Sequence, residues 1–150
     1  MPIPPQAPAG ALLSIFGAPG VSALRALVDT LIPPDDYPGG WDCGVGDYLE
    51  RGFTAQLAPH VPLYLACLAA LDAEARGHED RSFAELGLPE RTRLLQLLEK
   101  DGGAAEWPIA PVRFIRIAAE HAAEGFYADP ANGGNKNEIS WKMIGFEVVG

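Results

Sequence analysis

Hydrophobic residues recur along most of this chain at the three- and four-residue spacing of amphipathic α-helices. The pattern predicts about five helices: one from Ser22 to the pair Pro33-Pro34, a short one over residues 45–53, a long one over 59–76, one starting at Pro89 and one over 108–124. No segment alternates between apolar and polar residues as a half-buried strand does. The sequence therefore predicts an all-α fold.

The segment 59–76 is predicted to be the longest helix and the most central one. One apolar stripe along it consists of Val61, Tyr64, Leu65, Leu68 and Leu71. Further apolar residues continue around the reverse face, namely Leu63, Ala66, Cys67 and Ala70. A helix that is apolar on most sides usually lies in the middle of a bundle.

Proline and glycine cluster at residues 2–8, 32–46 and 129–134, which predicts long loops there. Residues 1–20 are almost uncharged and rich in Pro, Ala and Gly, so we expect an extended N-terminal arm. The apolar centre of this arm could pack on its own domain or on a partner. Residues 21–150 are predicted to form a single helical domain, a small irregular bundle with a C-terminal docking tail.

The composition is that of a globular protein, with 48% hydrophobic and 21% charged residues over 150 positions. The formal net charge of -9 opposes binding to nucleic acid and to anionic lipid headgroups, so neither is predicted as a partner. Residues 11–16 are apolar, but a membrane-spanning helix needs about 20 residues, so we expect no direct membrane insertion.

Targeting and redox signals are weak. The first basic side chain is Arg25, so no signal peptide and no twin-arginine pair are predicted in this chain. Cys43 and Cys67 match no metal or redox motif. Two half-buried thiols are favoured over a single disulfide, which would imply an oxidising compartment.

Candidate catalytic residues are few. The three histidines, His60, His78 and His121, include no pair at i,i+4 that could bind zinc as in HExxH motifs. A structural role is favoured for His121 over a role as ligand or general base. Asp35 and Asp36 lie in a proline-rich turn, where aspartate commonly bonds to the backbone. No catalytic, cofactor-binding or metal-binding residue is predicted.

The C-terminal segment carries the strongest recognition signal. Asp129-Pro130 directs the chain out of the last helix, and the following glycines permit positive φ. Further along, Trp141 and Phe146 offer large apolar faces with few rotamers to immobilise. From these residues alone, a lid on the core and a contact with a partner are equally favoured.

Residues 125–135, which read Gly-Phe-Tyr-Ala-Asp-Pro-Ala-Asn-Gly-Gly-Asn, and residues 141–146, Trp-Lys-Met-Ile-Gly-Phe, resemble the closing signature of the gluconate 2-dehydrogenase subunit 3 family. Residues 31–35, followed by Gly44-Val45 and Tyr48-Leu49, resemble the N-terminal signature of the same family. The two matches have the right order and bracket about residues 24–146.

The resemblance implies a small, non-catalytic subunit that partners a large flavoprotein of the glucose–methanol–choline (GMC) type, which binds FAD and oxidises a sugar or sugar acid. It places no cofactor in this chain and implies haem c, in a cytochrome c subunit, or an iron–sulfur cluster elsewhere in the complex. Family members help their partner to fold and to pass through the twin-arginine export route, which implies a periplasmic or membrane-linked complex. Residues 1–20 lack the expected arginines, so a cytoplasmic location stays open.

Under this interpretation, the arm, the loop around residues 33–41 and the tail contact the large subunit. The predicted contact residues are Pro34, Tyr37, Trp41, Phe126, Tyr127, Asp129, Pro130, Asn132, Asn135, Trp141 and Phe146. One alternative is a freestanding binding module or export chaperone that leaves after delivery. Another is a small helical enzyme that uses His121 with acidic partners.

Overall fold

The structure, a computed structural model, describes residues 10–34 and 39–128 of the chain. These two ranges contain five α-helices and no strand. The helices are α1 (Ala11–Leu31), α2 (Gly46–Phe53), α3 (Val61–Glu79), α4 (Leu88–Asp101) and α5 (Pro111–Ala128). The predicted all-α fold is confirmed.

Helix α1 begins at Ala11, eleven residues before the predicted start at Ser22. The extended arm predicted for residues 1–20 is therefore wrong for residues 11–20, while residues 1–9 lie outside the described ranges. Leu12 and Phe16 are buried, and the Leu12 N–H donates to Glu50 Oε2 in α2 at 3.0 Å. Tertiary packing thus favours helix in a segment whose proline and glycine content argued against it.

A break at Gly17 allows α1 to contain proline. Gly17 has φ 74° and ψ 167°, which lie outside the helical region and suit glycine. Because the helix restarts after this residue, Pro19 falls in a first turn, where the missing N–H of proline has no intrahelical partner to lose. The N-terminal half of α1 therefore runs in a different direction from the C-terminal half.

The central helix of the bundle is α1 and not α3. Helix α1 contacts each of the other four helices, and Leu24, Leu27 and Val28 on it are almost completely buried. In α3, Tyr64 and Cys67 are buried, whereas Leu65 and Ala66 are exposed. The prediction that 59–76 is the central helix is wrong, because only one side of α3 packs against other helices.

Short helical turns join the longer elements. Trp41–Val45 forms a wide π-type turn that leads into α2 and packs against α5. Ala58–His60 is a 3₁₀ turn before α3, and Phe83–Glu85 is a second one before α4. A capping box stabilises this second turn, since the Ser82 N–H donates to Glu85 Oε1 at 2.8 Å.

By length and composition alone, α1 is the one helix in the described ranges that could cross a membrane. The segments Trp41–Phe53 and Ala58–Glu79 meet the same test only as a pair bent by 91°. Core helices and signal sequences share these properties, and the C-terminal half of α1 lies in the core of this domain. The expected lack of membrane insertion stays a prediction.

Candidate partner-binding surface

An exposed apolar face runs along the outer side of α3. Its exposed residues recur at the spacing of a single helical face: Pro62, Leu65, Ala66, Ala69 and Ala73. Leu65 keeps 42% of its surface accessible, although large apolar side chains of this kind are usually buried. Helix α3 therefore presents to solvent two residues, Leu65 and Ala66, that the sequence pattern assigned to its buried faces.

The N-terminal half of α1 extends this surface. Pro19 is exposed and lies close to Leu65 and Ala69 of α3, with which it lines a groove, and Ala18 next to it is also exposed. Leu13, in the same half of α1, is 55% exposed. We call the combined surface the α1–α3 face, which consists of Leu13, Ala18, Pro19, Pro62, Leu65, Ala66, Ala69 and Ala73. None of these eight residues is charged, whereas 31 of the 150 residues of the chain are Lys, Arg, Asp or Glu, and Asp72 lies at the border of the face.

A groove runs between the two helices of this face. It encloses about 190 Å³ and is lined by Phe16, Pro19, Gly20, Leu65, Leu68, Ala69 and Asp72. Asp72 is the one charged residue in this lining, and its Oδ1 accepts the Phe83 N–H at 2.9 Å. The groove is thus an apolar recess with a carboxylate at its border.

The sequence contains a signal for this face that the helical periodicity did not reveal. Residues 1–24 and 61–71 contain no charged side chain, and Pro19 of the first run lines one groove with Leu65 and Ala69 of the second. A contiguous uncharged and apolar surface on an otherwise charged protein commonly marks a site of interaction.

Two of the predicted contact residues, Pro34 and Trp41, lie in the loop between α1 and α2. Pro34 is exposed and Trp41 is half-buried. The Trp41 N–H donates to Asp29 Oδ1 at 3.0 Å, and Gly46 lies so close to the indole that a Cβ there would stand 2.7 Å from it. Trp41 is therefore held in position by α1 and α2, and the residue as a whole stays half-buried.

Asp29 links this loop to α1. Burial raises the pKa of its carboxyl, while the Trp41 N–H and the nearby Arg25 act to lower it. Arg25 lies 3.9 Å from Asp29 and 3.2 Å from Asp42. The Trp41 turn is thus attached to the C-terminal half of α1 by a backbone hydrogen bond and flanking ion pairs.

Helix α5 extends to Ala128, four residues beyond the predicted end at residue 124. Phe126 therefore belongs to this helix and is 3% exposed, so it packs in the core and does not reach a surface that a partner could contact. Tyr127 is half-buried, with its ring centroid 6.1 Å from that of Phe126. The larger predicted set lies outside the described ranges: Tyr37, Asp129, Pro130, Asn132, Asn135, Trp141 and Phe146.

The end of α5 is fixed against the start of α2. The Tyr48 hydroxyl donates to Glu124 Oε1 at 2.9 Å, and its ring fills the space beside Gly125. The Trp41 turn, which immediately precedes α2, also packs against α5. The Trp41 turn and the start of α2 are thus both packed against α5.

His121, the candidate for a catalytic role, lies in the interior. Its Nδ1 is 2.7 Å from the Tyr64 hydroxyl, and its ring packs edge-on against His60 at 5.0 Å. Burial lowers the pKa of His121, with a smaller contribution of the same sign from His60 and an opposing one from Glu124. The unprotonated nitrogen of a neutral imidazole can accept a hydrogen bond from the Tyr64 hydroxyl, so the geometry is that of a structural histidine with its hydrogen bond satisfied.

The described residues contain no cluster of three or more His, Cys, Asp or Glu side chains that could hold a metal ion. Cys43 and Cys67 are both buried and the structure records no disulfide for either. Burial raises the pKa of the Cys67 thiol to about 11, which leaves little reactive thiolate at neutral pH. The α1–α3 face remains the best candidate for a functional surface.

Comparison with known proteins identifies the family. The family model described as gluconate 2-dehydrogenase subunit 3 matches residues 20–147, which include the C-terminal half of α1, the Trp41 turn and α2 to α5. No curated protein and no solved structure matches the chain. The match covers most of the sequence, so this chain belongs to the gluconate 2-dehydrogenase subunit 3 family and is an accessory subunit of a dehydrogenase complex.

Proposed function

We propose that this chain is the non-catalytic accessory subunit of an FAD-dependent sugar or sugar-acid dehydrogenase of the GMC type. It stabilises the catalytic flavoprotein and assists its folding or export. The flavin and the catalytic base belong to that partner, and a cytochrome c subunit transfers the electrons onward. The complex resides in the periplasm or at the membrane.

The observation that carries the proposal is the exposed, uncharged α1–α3 face, seen in a chain whose family is that of a dehydrogenase subunit. Leaving Leu13 and Leu65 in water is unfavourable, because each square ångström of apolar surface that is removed from water contributes about 25 cal/mol. Permanent subunit contacts bury more than about 2,000 Å² and are more apolar than transient ones. The face therefore suits a lasting contact.

Stabilisation of the partner follows from mass action. A subunit that binds only the folded flavoprotein lowers the free energy of the folded state by about 4 kcal/mol when its concentration is 1,000 times the Kd. Since many proteins have a free energy of unfolding of only about 5–15 kcal/mol, such an increment raises the fraction of the catalytic subunit that is folded.

The test is to express the large flavoprotein subunit with and without this chain in the same host. We expect the soluble yield, the FAD content and the dehydrogenase activity of the large subunit to fall when this chain is omitted. Unchanged values for all three would refute the proposal. Size-exclusion chromatography of the co-expressed proteins then tests whether the complex is permanent, since a permanent small subunit elutes together with the large subunit at a fixed stoichiometry.

A further inference from the structure

We infer that the groove between α1 and α3 receives an apolar side chain of the catalytic subunit, next to a lysine or arginine that pairs with Asp72. The inference rests on the proposed function, because it takes the catalytic subunit as the partner. It adds where that subunit docks and which chemistry its docking segment carries. Nothing in the family match assigns this role to the groove, and the match begins at residue 20, after the N-terminal half of α1.

The size of the groove favours a side chain over a small molecule. Its volume of about 190 Å³ lies below the range of about 300–1,000 Å³ that small-molecule sites usually occupy. The walls are formed mainly by Phe16, Pro19, Leu65 and Leu68. An apolar recess of this kind, surrounded by further apolar surface that excludes water, is the setting in which an anchoring side chain contributes most to binding.

Charge decides between the possible occupants. Asp72 borders the groove, and its Oδ1 is engaged by the Phe83 N–H, so Oδ2 can accept a hydrogen bond from a basic group. A second copy of this chain would bring another Asp72 and another formal charge of -9, which opposes self-association through the same face. The same net charge opposes an anionic lipid surface. An apolar segment with a neighbouring basic residue fits both features of the groove.

The decisive variants are two leucine-to-glutamate changes at sites of similar exposure. Leu65→Glu places a charge in the α1–α3 face, whereas Leu97→Glu places the same charge on α4, where Leu97 is 37% exposed. Each variant is co-expressed with the large subunit and purified through a tag on this chain. We expect Leu65→Glu to lower the recovered large subunit at least tenfold, and Leu97→Glu to leave it within twofold of wild type.

The variant Asp72→Asn tests the contribution of the negative charge of Asp72 to binding. Asparagine retains an oxygen that can accept the Phe83 N–H, so the fold is preserved while the negative charge is lost. We expect the affinity for the large subunit to fall about two- to fivefold at low salt, as for other partly exposed ion pairs, and the difference to vanish at high salt. Thermal unfolding of each variant alone confirms that it is folded.

The outcomes separate this inference from the proposed function. If the wild-type chain does not bind or stabilise the large subunit, the proposed function fails. If wild type binds and Leu65→Glu binds equally well, the proposed function stands and the docking site is wrong. Two further results would also overturn the proposed docking site. One is that the wild-type chain self-associates, and the other is that it floats with neutral phosphatidylcholine vesicles. In either case the effect would have to be abolished by Leu65→Glu while this variant still binds the large subunit.

Discussion

The carboxylate of Glu74 in α3 accepts the indole N–H of Trp107 at 2.8 Å, across 33 positions of sequence. The same oxygen accepts the Ala105 N–H at 2.9 Å, and Glu74 is only 2% exposed. Burial acts to raise the pKa of this carboxyl, but hydrogen bonds from Trp107, Ala105 and Ala104 and the nearby His78 together outweigh it, so the pKa lies below its ordinary value. This buried carboxylate fastens the loop between α4 and α5 to α3.

Replacing Glu74 should be costly. Glu74→Leu leaves the N–H groups of Trp107 and Ala105 without their acceptor, so we expect the free energy of unfolding to fall by about 3 kcal/mol. Glu74→Gln retains an acceptor but loses the charge, and about half of that loss is expected. Urea unfolding measures both changes. Glu79→Gln, at an exposed position of the same helix, serves as the control, and a Glu74→Leu loss within its range would contradict the role of Glu74.

The buried pair Tyr64–His121 predicts a pH dependence of stability. Because burial lowers the pKa of His121 in the folded state, the unfolded chain binds a proton more readily below its ordinary pKa of about 6.5. The free energy of unfolding should therefore fall as pH decreases through 6.5 towards the lower folded pKa. Unfolding curves between pH 5 and pH 8, roughly the range in which histidine titrates, measure this slope for wild type and His121→Gln. An equal slope in the variant would contradict the assignment.

The same residue distinguishes a subunit from an enzyme. Since His121 bonds to Tyr64 in the interior, we expect His121→Gln to leave kcat and KM of the assembled dehydrogenase unchanged at a temperature where the variant is folded. Steady-state kinetics on the purified complex provide the measurement. A loss of kcat of more than about a hundredfold would instead indicate general acid–base catalysis.

Two glycines in helices should respond in opposite directions. A Cβ at Gly125 would stand 2.9–3.0 Å from the Tyr48 side chain, so Gly125→Ala should destabilise the domain by about 1–3 kcal/mol. Gly77 in α3 has no atom within 4 Å of such a Cβ and has a helical backbone. Gly77→Ala should therefore stabilise the domain by about 0.5–1 kcal/mol. Thermal unfolding measures the change in Tm for each variant, and equal changes for the two would contradict the close packing of α5 on Tyr48.

The thiols should be protected by the fold. With a pKa of about 11, Cys67 has about a hundredfold less thiolate at neutral pH than an ordinary cysteine, and it is also fully buried. We expect iodoacetamide to label Cys67 at least a hundredfold more slowly in the folded protein than in urea. Mass spectrometry of the unreduced, denatured chain should show two alkylated cysteines, and unlabelled cysteines there would indicate a disulfide.

Several local features could be predicted from the sequence because their causes are local. The capping box at Ser82 and Glu85 depends on residues three positions apart, and the structure contains it. The start of α1 could not be predicted in this way. The burial of Leu12 and Phe16 and the hydrogen bond from Leu12 to Glu50 are long-range interactions, and they overcome the proline and glycine content of that segment.

By itself the sequence determined the helical class, the approximate positions of α2 to α5 and the family, because helical periodicity and signature residues are properties of the chain alone. Only the tertiary structure decided which side of α3 is buried. Tyr64 and Leu65 are neighbours and both are apolar enough for a core, but they point about 100° apart around the helix. Helix α1 covers one side of α3, so Tyr64 lies in the core and Leu65 faces the solvent, where a partner can bind.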